Sequence, residues 1–265
     1  MKLCLILLAL AALSCATFAQ DWAKAQVDKS PRHLEWVELK HGSRTVRALV
    51  AYPEVNHPAT VVVLIHEIFG MSDWAMLTAD QLAAEGYIVI APDFLSQMGP
   101  NGGGTSSLDP SEVRSAMSAL PPDQVDADLQ AACDYGKKIP SANGKIVVGG
   151  FCWGGSTTFR FATRRTDLSA ALVFYGTAPS DDSDLKKINC PVYGFYGGDD
   201  FRVSSTIPET EKRMKALGKP YDPVIYEGAG HGFMRSGIQP EPEEANAKAR
   251  AEAWKRALKI LAGIG

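Results

Sequence analysis

The feature that most constrains this chain is a short turn that joins an apolar run to an amphipathic stretch. Residues 145–149 read KIVVG, as a buried strand would, and residues 150–155 follow at once as GFCWGG. Small residues two positions before and after Cys152 would let neighbouring backbone pass close to it. This strand–turn–helix pattern is that of a nucleophile elbow, with cysteine in the position that serine usually holds.

An elbow of this kind exposes its central side chain at the carboxyl edge of a sheet, beside the N-terminal end of a helix. The peptide dipoles at that helix end favour an anion, so we expect the Cys152 thiol to shift toward its reactive thiolate form. Isolated cysteines in apolar surroundings are also common as packing residues. The interpretation of Cys152 as a nucleophile therefore depends on partners elsewhere in the chain.

Strand-like and helix-like segments alternate along the sequence, after a hairpin predicted over 34–40 and 44–52. Further strands are predicted over 60–65, 87–91, 145–150, 168–175, 192–196 and 223–226, and helices over 73–85, 123–138, 153–165, 207–217 and 241–262. Asp73 is the expected cap of the first of these helices. The alternation predicts an α/β fold, with a mostly parallel central sheet of about eight strands covered by helices on both faces.

Residues 94–124 interrupt this alternation with a polar, glycine-rich segment that lacks strong periodicity. Its length indicates a mobile flap over a site rather than a simple connection. A linker between two domains is the alternative, but no second core follows it. Residues 20–265 are therefore expected to form a single domain.

The N-terminal 19 residues have the organisation of a secretory signal peptide. Lys2 provides the positive region, residues 3–13 are apolar, and residues 17–19 read TFA, a small-x-small cleavage site. The apolar run is too short to span a membrane. We expect an exported protein, periplasmic or secreted, without stable membrane association once the signal is removed; Ser14-Cys15 leaves a lipoprotein signal as the alternative.

The remaining cysteines are Cys133, Cys152 and Cys190, an odd number whose spacing fits neither a disulfide framework nor a metal site. Cys133 and Cys190 are interpreted as buried packing residues. No metal or other cofactor is expected.

The net charge of −3 gives no electrostatic case for nucleic acid as a partner. A small molecule is the expected partner, and a monomer is the favoured state of the protein.

Two further segments place chemical groups at the ends of predicted strands, where α/β proteins bind their ligands. Asp199 and Asp200 follow one strand, and His231 follows the last strand within GAGHGF. Nucleophile, acid and histidine in this order are the triad sequence of an α/β-hydrolase. His231 would take the thiol proton or form an ion pair with the thiolate, and the acid would orient the imidazole.

An oxyanion hole requires two hydrogen-bond donors aimed at the developing negative oxygen. The amide of Trp153 is one candidate, and the amide of Ile68, in the loop after the strand over 60–65, is the other. Glu67 precedes Ile68. Because a carboxylate beside an oxyanion site would repel the developing charge unless it were paired or protonated, Glu67 is interpreted as functional.

Jointly, the motifs resemble those of the dienelactone hydrolases over nearly the whole mature chain, from the hairpin to the closing helix. The segments that carry this resemblance are HEIFG at 66–70, APD at 91–93, GFCWGG at 150–155, YGGDD at 196–200 and GHGF at 230–233. The resemblance implies a triad of Cys152, His231 and Asp200, the latter rather than Asp199. It also implies that Glu67 hydrogen-bonds the resting thiol and takes up its proton when substrate arrives.

The resemblance further implies that Arg235 binds a substrate carboxylate, with Phe69 also in the substrate site. One position departs from the family: Gln97 stands where enzymes that open dienelactone carry a second arginine. Glutamine cannot replace the charge of a bidentate arginine, so the departure counts against dienelactone itself as substrate but not against the hydrolytic machinery.

The predicted function is hydrolysis of a small ester or lactone through an acyl-enzyme. Two alternatives remain at this stage. The first is a ligand-binding protein of the same fold with little turnover, which the change at Gln97 would favour. The second is a thiol-based acyl transferase that uses Cys152.

Overall fold

The computed structural model describes residues 20–265, so the predicted signal peptide over 1–19 lies outside the described residues. The strands in this part of the chain are β1 (Leu34–His41), β2 (Arg44–Ala51), β3 (Ala59–Ile65), β4 (Ile88–Pro92), β5 (Ala142–Phe151), β6 (Ala170–Phe174), β7 (Val192–Gly197) and β8 (Tyr221–Tyr226). They form one sheet in the order β1-β2-β4-β3-β5-β6-β7-β8. β2 is antiparallel to β1 and β4, whereas the pairs from β4 onward are parallel.

Helices flank this sheet. They are α1 (Asp21–Val27), α2 (Asp73–Ala84), α3 (Pro110–Ser118), α4 (Pro122–Gly136), α5 (Trp153–Phe161), α6 (Asp182–Leu185), α7 (Phe201–Ser204), α8 (Ile207–Ala216), α9 (Phe233–Ser236) and α10 (Glu244–Ala262). Within residues 20–265, none of them is apolar over enough length to cross a bilayer.

Strand β3 shows why helices cover both faces. All seven of its residues are buried, as expected for a central parallel strand. Val61 and Val63 pack into one core with Leu129 of α4, while Val62 and Leu64 pack into a second core on the opposite face. The predicted α/β class, with a mostly parallel sheet between two layers of helices, is confirmed.

Local chemistry explains where the observed helix boundaries differ from the predicted ones. Ser72, not Asp73, caps α2, because its hydroxyl accepts a hydrogen bond from the Ala75 amide while Asp73 already lies in the first turn. α5 ends at Phe161 instead of residue 165. Just beyond that end, the Thr163 hydroxyl donates to the Arg160 carbonyl at 2.7 Å, a local bond that competes with the helical ladder.

Residues 94–124, the predicted flap, contain more regular structure than expected. Asp109 accepts a hydrogen bond from the Ser111 amide, and Pro110 occupies the first turn, so α3 begins with two favourable signals. Val113 and Met117, four residues apart, are both buried. A capped helix with one apolar edge therefore docks on the core here, and the mobility of the segment stays a prediction.

Candidate active site

Cys152 lies at the junction between β5 and α5. Its φ of 57° is in the left-handed region, which is uncommon for a residue with a Cβ. The Cys152 amide holds this turn in place by donating to the Phe174 carbonyl at 3.0 Å. A Cβ on Gly154 would collide with the carbonyl oxygens of Ile65 and His66, so only glycine lets α5 approach β3 this closely.

The structure brings Cys152, His231 and Asp200 together at the carboxyl edge of the sheet. Sγ of Cys152 lies 3.0 Å from Nε2 of His231, and Nδ1 of His231 lies 2.5 Å from Oδ2 of Asp200. Asp200 is buried, whereas Asp199 is exposed. Since a carboxylate only accepts, Nδ1 carries the imidazole proton, and Nε2 is left to accept one from the thiol.

The surroundings of His231 alter its proton affinity. Burial disfavours the charged imidazolium, but hydrogen bonds and electrostatic attraction from Cys152 and Asp200 outweigh burial, so the pKa of His231 lies above its ordinary value. An imidazole with this bias can remove the thiol proton and stabilise the resulting charge pair. This geometry is the one that a thiol nucleophile with an oriented base requires.

Glu67 departs from the expected arrangement. It is buried and accepts a hydrogen bond from Nε of Arg235 at 2.7 Å; its other oxygen accepts from the Tyr175 hydroxyl at 3.4 Å. The expected hydrogen bond from the Cys152 thiol to Glu67 is not found in the described part of the chain, where the thiol instead contacts His231. A guanidinium is a charged donor and a thiol a weak one, so Arg235 prevails.

Burial raises the pKa of Glu67, and the charge of Arg235 opposes this without cancelling it. This carboxyl group therefore binds a proton more readily than an exposed glutamate does. Such a group suits a role in proton uptake beside the nucleophile.

Tyr175 is a site residue that the sequence interpretation missed. It is 1% exposed, has a φ of 40°, and its ring meets the His231 ring edge-on with 5.1 Å between centroids. Burial and the charge of Glu67 raise the phenol pKa well above its ordinary value, so the hydroxyl remains a donor. One signal was available: Tyr175 is the last residue of a predicted strand, and so lies at the same sheet edge as Cys152.

Two backbone amides are available beside the thiol. Trp153 is the first residue of α5, and Ile68 lies in the loop after β3. The backbone hydrogen bonds of the loops and turns within residues 20–265 include none donated by either amide. His66 braces this loop: its ring nitrogen Nδ1 donates to the Glu67 carbonyl at 2.8 Å, and its ring packs against Trp153. Both amides can therefore serve as oxyanion donors.

Phe69 and Arg235 lie together, whereas Gln97 does not join them. The guanidinium carbon of Arg235 is 5.2 Å from the centre of the Phe69 ring. Arg235 was expected to be free for substrate, but its Nε is occupied by Glu67. Gln97 is exposed, and its side-chain oxygen accepts from the Thr45 amide of β2 at 3.2 Å, which directs the side chain toward the hairpin.

The other two described cysteines differ from Cys152. Burial raises the pKa of Cys133 to about 12 and that of Cys190 to about 11. Both are inert packing residues by this measure. Residues 20–265 contain no cluster of three or more histidine, cysteine, aspartate or glutamate side chains that could hold a metal ion.

Comparison with known proteins gives a consistent result. A family model described as the dienelactone hydrolase family matches residues 46–264. The carboxymethylenebutenolidase of Pseudomonas putida is 30% identical over 237 residues, which cover 84% of this chain and 94% of the relative.

Two solved structures share the fold. One is a dienelactone hydrolase-like promiscuous phosphotriesterase from metagenomic libraries, with a TM-score of 0.73 and 21% identity, covering 88% of this chain and 98% of that one. The other is a dienelactone hydrolase from Anabaena variabilis, with a TM-score of 0.63 and 18% identity, covering 84% and 96% of the two chains.

Proposed function

Because the chain belongs to the dienelactone hydrolase family and is a hydrolase of that type, we propose that it cleaves a small ester or lactone with Cys152 as nucleophile. The observation that carries this proposal is the continuous contact from thiol to imidazole to buried carboxylate, 3.0 Å and 2.5 Å long. This is the relation of nucleophile, base and orienting acid that acyl transfer requires.

In the proposed reaction, Nε2 of His231 takes the thiol proton as Sγ of Cys152 attacks the substrate carbonyl carbon. The amides of Ile68 and Trp153 donate to the tetrahedral oxyanion. Collapse of this intermediate breaks the ester bond, and His231 returns the proton to the leaving oxygen. Water, deprotonated by His231, then attacks the thioester, which releases the acid and restores the thiol.

Arg235 and Glu67 act on this reaction as a pair. Glu67 accepts from Nε of Arg235, which leaves the terminal nitrogens of the guanidinium to bind a substrate carboxylate. Because burial raises the pKa of Glu67, this group can accept a proton from the thiol when the charges around it rearrange. Asp200 orients His231 throughout, and Phe69 lines the approach to the two oxyanion donors.

We propose further that the protein acts after export, in the periplasm or outside the cell. The organisation of residues 1–19 supports this location, with a lipoprotein form as the alternative. Detection of the mature N-terminus near residue 20 in the exported fraction would support it, and recovery of the full-length chain from the cytoplasm would contradict it.

The function is tested by incubating the purified protein with 4-nitrophenyl acetate and with short lactones. We expect hydrolysis by the wild type and a loss of at least about 10³-fold in kcat/KM for Cys152→Ala, since triad members act as a unit. Cys133→Ala is the matched control and should retain the wild-type rate. Equal rates for wild type and Cys152→Ala would refute the proposal, as would inactivity of the wild type on every ester and lactone.

A further inference from the structure

The charges around Cys152 are unequally compensated. Nε of Arg235 lies 2.7 Å from Oε2 of Glu67, so this pair carries little net charge when both groups are ionised. Asp200 is paired with His231 in the same way. A substrate anion that approaches the thiol meets these two pairs, and the exposed Arg202 lies beside His231, 3.5 Å from its Nδ1. On the Glu67 side, stronger selection by charge requires a positive group without a carboxylate partner.

Arg114 of α3 supplies such a group. Its guanidinium carbon lies 5.6 Å from the centre of the Phe69 ring, and Arg235 contacts the same ring at 5.2 Å. Both distances are within the roughly 6 Å reach of a cation–π contact. Arg114 is exposed, and among residues 20–265 no carboxylate lies within ion-pair distance of it. Its positive charge is therefore uncompensated, directly beside the loop that carries Ile68.

The position of Arg114 is built into the fold. Val113 and Met117 anchor α3 in the core, which determines the side of the helix on which Arg114 lies. The loop before α3 is held by Thr105, whose amide and hydroxyl donate to Asp93 at 2.8 Å and 2.6 Å.

Thr105 also joins this loop to the active-site side of the molecule. Its hydroxyl accepts from the Met71 amide at 3.1 Å, and a Cβ on Gly70 would collide with its side chain. The segment that contains Arg114 is thus attached directly to the loop over 66–71, which provides Glu67 and Ile68. The positive charge on α3 is therefore held at a defined place beside Phe69.

We propose that Arg114 is a specificity-determining residue, and that it selects ester and lactone substrates that carry a carboxylate. This inference rests on the proposed function. Phe69 lies between two guanidinium groups, of which Arg235 forms an ion pair with Glu67 and Arg114 forms none within residues 20–265. A substrate anion beside the Phe69 ring can pair with Arg114 without breaking any ion pair of the resting protein. Gln97 carries no charge and cannot form such a pair.

The first test uses alkylation of Cys152, which requires no turnover. The thiolate displaces iodide from iodoacetate, an anion, or from iodoacetamide, which is neutral and of similar size; mass spectrometry follows the modified protein. Cys152 is the only one of the three described cysteines that is not buried. For Arg114→Gln we expect the ratio of the iodoacetate rate to the iodoacetamide rate to fall about two- to fivefold, the range for an exposed charge pair.

Arg47→Gln is the matched control, because Arg47 is also exposed and stacks on an aromatic ring, 4.9 Å from that of Trp36. Its alkylation ratio should stay at the wild-type value. Arg114→Lys keeps the charge and should restore much of the ratio. An unchanged ratio in Arg114→Gln, or an equal fall in Arg47→Gln, would overturn the proposal.

A kinetic test then compares 4-nitrophenyl acetate with the monoanionic 4-nitrophenyl hydrogen succinate. Arg114→Gln should raise KM for the succinate ester about two- to fivefold and leave kcat/KM for the acetate nearly unchanged. An equal loss on both esters would show a structural role and overturn the proposal. Inactivity of the wild type on these esters and on the short lactones would refute the hydrolytic function, while the alkylation ratio would still decide the role of Arg114.

Discussion

Two histidine–aspartate pairs in this molecule have nearly the same geometry and different surroundings. Nδ1 of His231 lies 2.5 Å from Asp200, and Nε2 of His41 lies 2.6 Å from Asp128. Both aspartates are buried. The second nitrogen of His231 faces the Cys152 thiol, whereas Asp128 is shared between His41 and a cation.

That cation is Arg44, which donates to both oxygens of Asp128 and also to the backbone carbonyls of Phe94 and Ser96. The Asp128 cluster therefore joins the β1–β2 hairpin to α4 and to the start of the predicted flap. The two pairs teach that a histidine oriented by a buried carboxylate is not by itself a site. A reactive pair differs from a structural one in its further contacts: His231 also contacts a thiol, whereas Asp128 also binds an arginine.

The largest contrast is expected in the reaction rate. Asp200→Asn should lower kcat/KM on 4-nitrophenyl acetate about 10³- to 10⁴-fold, because an amide in this place no longer favours the required tautomer and charge of His231. Asp128→Asn, the matched substitution in the other pair, should stay within about twofold of the wild type. Asp199→Asn should cost only a few-fold at most, since Asp199 is exposed; a greater loss there than in Asp200→Asn would show that the acid is misassigned.

For the free energy of unfolding, we expect the opposite order, with the larger loss in Asp128→Asn. Asp128→Asn removes the only charge that compensates Arg44 in the cluster, and losing one partner of a buried pair costs about 3–5 kcal/mol. Urea unfolding, followed by circular dichroism, should register this loss. Asp200→Asn, which leaves no arginine unpaired, should lose less than about half as much. If Asp200→Asn were the less stable variant, the division between a reactive and a supporting pair would be wrong.

The smallest effect concerns the proton affinity of His231. Its pKa lies above the ordinary value because Cys152 and Asp200 favour the imidazolium, so removing either group should lower it. NMR titration should show that the pKa of His231 is lower in Cys152→Ala than in the wild type. Cys133→Ala should leave the titration curve unchanged, and an upward shift in Cys152→Ala would contradict the assigned cause.

The same raised pKa has a consequence for stability. A group whose pKa is higher in the folded than in the unfolded protein stabilises the fold in its protonated form. The contribution of His231 should therefore be fully present below the ordinary histidine pKa of about 6.5 and disappear as the pH rises through the raised value.

The parts of the site that could be predicted from the sequence share one property. Cys152, Asp200 and His231 each lie within a short glycine-containing motif that follows a strand, no more than five residues after the strand ends. A parallel sheet places the carboxyl ends of its strands at one edge, so topology alone gathers these residues. The α/β class and the family followed from the same periodic and local signals, and both are confirmed.

The parts that could not be predicted depend on side chains that reach across the molecule. Glu67 and Arg235 are 168 residues apart, and His41 and Asp128 are 87 apart. Arg114 was part of a segment interpreted only as a flap. Long charged side chains have several possible partners, and the choice among them depends on distances that no sequence spacing specifies.

By itself, then, the sequence determined the sheet, the strained turn at Cys152 and the placement of Cys152, Asp200 and His231 after separate strands, because backbone periodicity and glycine at fixed offsets are local properties. Only the tertiary structure decided that Glu67 pairs with Arg235 rather than with the thiol, and that α3 brings Arg114 to Phe69. The physical reason is that a buried charge takes the strongest donor within reach, and packing alone determines which donors those are.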